Sequence, residues 1–285
     1  MQKISAYLRL MRFNKPIGIL LLLWPTLWAL WLATDGKPPT LIVTVFIAGV
    51  IIMRAAGCLI NDIADRNFDG LVERTNQRPL VTGEVSIKQA LALFIFLCLL
   101  ALGLVLTLNH FTIGLAIVAL VLAIIYPFSK RFISFPQFIL GIAFNWSIPM
   151  AFAATTNTIP NIAWLLYLIT LLWTVVYDTQ YAMVDREDDL RIGIKSTAIW
   201  FGKNDLYILD MLHLFILMGF VFIGFNKNLG LAFWLSLLVA GCLAVYQHRL
   251  VMTRQRESYF AAFLNNNWYG AVIFLGIVLG SMTLS

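Results

Sequence analysis

Apolar stretches recur along almost the whole chain, each about 18–22 residues, the length a helix needs to cross a bilayer core of about 30 Å. Hydropathy marks nine, at roughly 17–34, 41–60, 87–107, 110–127, 136–154, 161–184, 207–225, 229–247 and 266–284. Composition agrees: 61% of residues are hydrophobic and 12% charged, with a mean hydropathy of +0.86. A soluble domain carries about a quarter charged residues, so a large water-facing surface is excluded. The sequence therefore predicts an all-α polytopic membrane protein. Residues 1–285 form a single domain in this reading, a bundle of nine transmembrane helices.

The segments between these stretches alternate between basic and nearly uncharged. Lys3, Arg9, Arg12 and Lys15 precede the first stretch, and Arg66, Arg74, Arg78 and Lys88 follow the second. Lys130 and Arg131 follow the fourth, Arg186, Arg191, Lys195 and Lys203 the sixth, and Arg249, Arg254 and Arg256 the eighth. These are 17 of the 20 Lys and Arg, and the positive-inside rule then puts the N-terminus in the cytoplasm. Orientation accounts for the net charge of +6 with no need of a nucleic-acid partner. Cys58, Cys98 and Cys242 lie in or beside apolar stretches without paired spacing, and read as small apolar residues.

Two basic segments also concentrate acids. Asp65-Arg66-Asn67-Phe68-Asp69 and Asp185-Arg186-Glu187-Asp188-Asp189 both read D-R-x-x-D and stand four stretches apart. That spacing suggests two related four-helix halves plus a ninth helix, with a site where the halves meet. If the second stretch stays helical through its motif, Arg54, Asn61, Asp65 and Asp69 share one face. Asp178, Asp185 and Asp189 recur in the same way, with Tyr181 close to their stripe. Two carboxylate faces repel in a low-dielectric site unless a cation lies between them. Oxygen ligands without His or Cys point to magnesium or calcium rather than zinc. Magnesium commonly joins one or two carboxylates to substrate phosphates. Arg66, Arg78, Lys130, Arg131 and Lys195 suit such an anion.

The two acidic blocks, NDIADRNFD (61–69) and YDTQYAMVDREDD (177–189), resemble the aspartate-rich motifs of the UbiA-type intramembrane prenyltransferase family. The likeness continues through KPIGILLLLWPTLWALW (15–31), RAAGCLIND (54–62), RTNQRPL (74–80), YPFSKR (126–131), WSIPMAFAA (146–154) and IGIKSTA (192–198). These later blocks are similar to the bacterial branch that prenylates 4-hydroxybenzoate for ubiquinone synthesis. The resemblance implies a magnesium-dependent enzyme of the bacterial inner membrane, with its active site at the cytoplasmic side. It would join a polyprenyl group from polyprenyl diphosphate to the ring carbon ortho to the phenol of 4-hydroxybenzoate. The partners it implies are these two substrates and membrane lipid.

Position by position, the resemblance makes Asn61, Asp65, Asp69, Asp185 and Asp189 magnesium ligands, with the four aspartates catalytic. Tyr126 and Lys130 match a polar pair facing the diphosphate, joined by Arg66, Arg78, Arg131 and Lys195. Arg54, an intramembrane cation, suits the carboxylate of the acceptor, and Asp178 and Tyr181 are expected beside it. Asn145 stands where the family pattern leads us to expect a small residue such as Gly. Two rivals fit less well. A transporter would place charges at the midplane between discontinuous helices, whereas these acids crowd one membrane edge. The segment from Asp69 to Gly83 mimics the start of a CDP-alcohol phosphotransferase motif, but Ile87 and Leu91 occupy its next acidic positions.

Overall fold

The computed structural model describes residues 2–67, 69–71, 75–129, 132–133 and 135–282, and every regular element among them is helical. A short α1 (Gln2–Leu10) precedes α2 (Ile17–Ala33) and α3 (Thr40–Asp65). A loop with one 3-10 turn at Asp69–Leu71 leads to α4 (Ile87–Val105) and α5 (His110–Ser129). Next come α6 (Pro136–Phe144), α7 (Ser147–Thr156) and α8 (Asn161–Val184). Short α9 (Arg186–Ile192) and α10 (Thr197–Phe201) connect to α11 (Asp205–Asn226), α12 (Leu231–Met252) and α13 (Arg256–Ser281). Eight stretches are long and apolar enough to cross a membrane, with α6–α7 and α10–α11 each counted as one. The apolar α2 is shorter, at 17 residues. The chain is a multi-pass membrane protein.

Local sequence explains several boundaries. Ser86 opens α4 with a capping box: its hydroxyl accepts from the Gln89 amide, and the Gln89 side chain accepts from the Ser86 amide. Asn157 closes α7 at φ 56°, a left-handed position that Asn tolerates better than most residues. Two predicted boundaries change. The stretch at 136–154 is two helices, broken at Asn145 and Trp146. The last helix starts at Arg256 rather than 266, running straight through Asn265, Asn266 and Asn267.

These asparagines lower the hydropathy of α13, yet each finds a partner. Asn266 accepts from Trp173 Nε1 at 2.9 Å and donates to Gln180 Oε1 at 2.8 Å. Gln180 in turn donates to Gln247 at 2.9 Å, and Gln247 donates to Asn265 at 3.0 Å. Trp24 donates to Asn267 at 3.0 Å. Buried amides are costly only when left unpaired, so this chain of bonds lets polar residues tie α13 to α2, α8 and α12.

Packing separates the bundle into two apolar cores. The larger joins α2, α7, α8, α11, α12 and α13. At its centre Trp28 meets Trp173 with ring centroids 5.2 Å apart and Phe220 edge-on at 5.3 Å. The smaller joins α1, α3 and α4 around Leu10, Ala55, Leu59 and Ala90. Outward faces of α4 and α5 are aliphatic and bare, with Leu99 and Ile117 exposed.

Asn266→Ala should leave Trp173 and Gln180 short of a partner. We expect unfolding of the detergent-purified protein, followed by circular dichroism, to show about 1–3 kcal/mol of lost stability with helix content preserved.

Candidate active site

A cavity of about 1730 Å³ opens between the helices, walled by residues of α1 to α9 and α13. Much of the wall is aliphatic, including Leu21, Val45, Leu102, Val105, Leu120 and Met150. The polar end gathers both acidic motifs. Asn61, Asp65 and Asp69 come from the first, and Asp185 and Asp189 from the second, with Asp178 nearby on α8. Residues distant in sequence thus line one cavity.

Each motif reaches this wall by a helix followed by a break. α3 stays helical to Asp65, keeping Arg54, Asn61 and Asp65 on one stripe as the spacing predicts. Asp69 departs from that expectation, because the helix has ended and Asp69 begins a 3-10 turn. Two contacts bring it back: Arg78 Nη1 lies 2.5 Å from its carboxylate, and the Thr75 hydroxyl donates to its carbonyl at 2.6 Å. The second stripe is broken too. Asp185 caps the end of α8, and Asp189 sits in the first turn of α9, donating its amide to the Asp185 carbonyl at 2.8 Å. Burial pushes the Asp69 carboxyl above its ordinary value, while the Arg78 guanidinium pulls it back.

The cations expected around an anion take different positions. Arg78 is in the wall but already engaged, bridging Asp69 and the buried Asp62, 3.0 Å away. Lys195 and Tyr126 also line the cavity, Tyr126 with its ring 6.1 Å from that of Phe144. Arg66 does not join them: its side chain is exposed and folds back to donate to the Ile63 carbonyl at 2.9 Å. The short helical path after Asp65 aims it away. Lys130 and Arg131 lie outside the described residues.

Deeper along α3, Arg54 faces the cavity. Its guanidinium donates to Cys58 Sγ at 3.0 Å and stands 5.6 Å from the centre of the Phe144 ring. Its Nε is buried without a hydrogen-bond partner. Tyr181 lines the same wall, its ring 4.6 Å from that of Phe263. Gly18 makes room for this arrangement: a Cβ there would come within 2.6 Å of Arg54 Nε.

Arg9, Arg12 and Lys15, orientation signals in the sequence, all line the cavity. Gly18 beside them is marked in the sequence only as a lone glycine entering an apolar helix. Asn267, inside the expected last stretch, also lines the cavity. Asn145 points the other way from the cavity wall formed by its neighbours Phe144 and Trp146. Buried, it donates to the Gly141 carbonyl at 2.8 Å and to Thr174 Oγ1 at 2.9 Å.

Among the described residues, no three of the His, Cys, Asp and Glu side chains converge closely enough to hold a metal ion by themselves. The donors at the polar end are oxygens from two separate segments. Such a set fits a hard ion that completes its coordination with a bound anion and water, as magnesium does.

The UbiA prenyltransferase family model matches residues 22–277. A 4-hydroxybenzoate octaprenyltransferase of Aeromonas hydrophila subsp. hydrophila is 57% identical over 274 residues, covering 96% of each chain. One of the same description from Yersinia pestis is 57% identical over 277 residues, 97% of this chain and 96% of its own. A UbiA homolog from Aeropyrum pernix K1 superposes with a TM-score of 0.80 at 23% identity, covering 91% of this chain and 97% of its own. A UbiA homolog from Archaeoglobus fulgidus, bound to GPP and Mg2+, gives a TM-score of 0.66 at 20% identity, covering 94% of this chain and 99% of its own.

Gly57 lies in the cavity wall, and a Cβ there meets nothing within 4 Å. Gly57→Phe should therefore fold with an unchanged melting temperature while filling the cavity. Titration calorimetry should show binding of a long-chain alkyl diphosphate weakened at least tenfold.

Proposed function

The chain belongs to the UbiA prenyltransferase family, and from that premise we propose that it transfers a polyprenyl group from polyprenyl diphosphate to 4-hydroxybenzoate. The new bond forms at the ring carbon ortho to the phenol, and diphosphate is released. One observation carries the reading: both acidic motifs open onto a single cavity whose remaining wall is largely aliphatic. That cavity suits a substrate with a charged head and a long apolar tail. The relatives named 4-hydroxybenzoate octaprenyltransferase support the choice of acceptor and of a polyprenyl donor.

Asn61, Asp65, Asp69, Asp185 and Asp189 would hold magnesium at the polar end. Bound there, magnesium would supply positive charge that stabilises the departing diphosphate and lowers the barrier to its release. Lys195 and Tyr126 would face the same diphosphate, with Lys130 and Arg131 assigned there from sequence. Arg78 acts through its grip on Asp69, setting where that carboxylate points. The allylic cation left on the donor would lie near the rings of Tyr126, Phe144, Tyr177 and Tyr181, whose faces attract positive charge without offering a nucleophile.

Arg54 would take the acceptor carboxylate. It lies seven residues, about 10 Å of helix rise, from Asn61, which leaves space for the aromatic ring between carboxylate and metal. Asp178 and Tyr181 border that space. Attack by the ring carbon on the allylic carbon forms the C–C bond, and loss of the ring proton restores aromaticity.

In this reading the chain crosses the bacterial inner membrane nine times, α2 supplying the ninth crossing, with the N-terminus and the polar end of the cavity cytoplasmic. Supporting it is the concentration of Lys and Arg in the segments on that side.

Product formed from 4-hydroxybenzoate and prenyl diphosphate by the purified protein, identified by mass spectrometry, tests the reaction directly. Absence of prenylated product with magnesium present would overturn it. Asp65→Ala and Asp185→Ala should insert normally and lose nearly all turnover. Arg54→Ala should raise the KM for 4-hydroxybenzoate at least tenfold and spare that for the donor. Gly18→Ala should reproduce this pattern more mildly, since its methyl group displaces the Arg54 head.

A further inference from the structure

Asp205, the first residue of α11, belongs to neither acidic motif and is fully buried. Its carboxylate receives Arg186 Nη2 at 2.5 Å, and Arg254 Nη1 at 2.7 Å from both oxygens. Arg186 sits inside the second motif, between Asp185 and the acids of α9. Arg254 lies in the turn between α12 and α13, where its backbone adopts φ 57°. That left-handed conformation is costly for a side chain without special turn chemistry. Here it delivers the guanidinium to Asp205.

The first motif is held in the same way. Buried Asp62 is gripped by Arg12 at 2.9 Å and by Arg78 at 3.0 Å, and Arg78 extends to Asp69. Arg12 also occupies a turn before a membrane helix, with φ 61°. Two separate stretches of sequence thus build one device: a buried carboxylate clamped by an arginine of the acidic segment and an arginine from a left-handed turn.

We infer that Asp205 is a positioning residue that fixes the second acidic motif so that Asp185 and Asp189 face the cavity. The alternation within the motif supports this. Asp185 and Asp189 line the cavity, while Arg186 turns out to Asp205 and Glu187 turns out to Arg256 at 3.0 Å. Replacing the buried carboxylate by an amide leaves two guanidiniums without their counter-charge. Arg186 is then released to turn toward the other acids of its own motif, Asp185 and Asp189 among them, and to compete with the metal and the diphosphate for them.

The inference rests on the proposed prenyl transfer, and the test separates the two. Titration of farnesyl thiodiphosphate, an unreactive donor analogue, into the wild-type protein with magnesium reports the donor site; no binding there would count against both the transfer and the inference. Given wild-type binding, Asp205→Asn should raise the Kd for the analogue at least tenfold and lower kcat. Its KM for 4-hydroxybenzoate should stay within twofold, and Asp205→Glu should recover part of the affinity. Arg254→Gln, which keeps the Arg186 pair, should weaken analogue binding to a lesser degree and decides the matter if Asp205→Asn does not fold. Asn266→Ala, destabilised elsewhere, should bind the analogue normally. Wild-type analogue affinity in folded Asp205→Asn or in Arg254→Gln, or equal losses for both substrates, would reduce Asp205 to a structural role.

Discussion

Charge buried in so apolar a chain must be neutralised, and the arrangement of this bundle follows from how that is done. A lone carboxylate taken out of water would cost several kcal/mol. The protein instead uses Arg12, Arg78 and Arg254 from loops and Arg186 from the start of α9 to clamp Asp62 and Asp205, and through them orients the segments that carry the remaining acids. Neutralisation by side chains is complete at these two buried anchors. The acids of both motifs line the cavity, which suits a site whose balance of charge is finished by what binds there.

Around this polar end the bundle is built unequally. The larger core is dense with aromatic contacts and cross-linked by the amide chain running through Gln180, Gln247 and Asn266. The smaller core is held by alanines and leucines of α1, α3 and α4. Between them, a stiff side fixes α8 and its motif while a lighter side closes the cavity. Tying α8 into the larger core limits the freedom of the second motif's acids, and preorganisation of this kind is what electrostatic catalysis needs.

Much of this was legible in the sequence. The length of the apolar stretches gave the helical membrane architecture, and the twin D-R-x-x-D motifs led to one shared cavity. What escaped reading depended on contacts between distant segments. Asp69 looked like the next step of a helical stripe, but Thr75 and Arg78 hold it on a separate turn. Arg66 resembled its basic neighbours, and only the end of α3 shows that it turns outward. The part of α13 before residue 266 looks too polar for a membrane helix in sequence, because the partners of Asn265 and the asparagines after it lie on α2, α8 and α12. Arg12 carried an orientation signal and a structural task at once, and composition reveals only the former.

The wall made by α4 and α5 is a single helix thick. Leu102 and Leu120 meet the cavity from one side of that wall, while Leu99 and Ile117 point outward. Acyl chains of the bilayer therefore form the next layer beyond it, and the interior space is insulated from lipid by little more than one row of side chains. The fluidity and thickness of the surrounding membrane become parameters of the reaction chamber itself, much as a solvent is for a reaction in a flask.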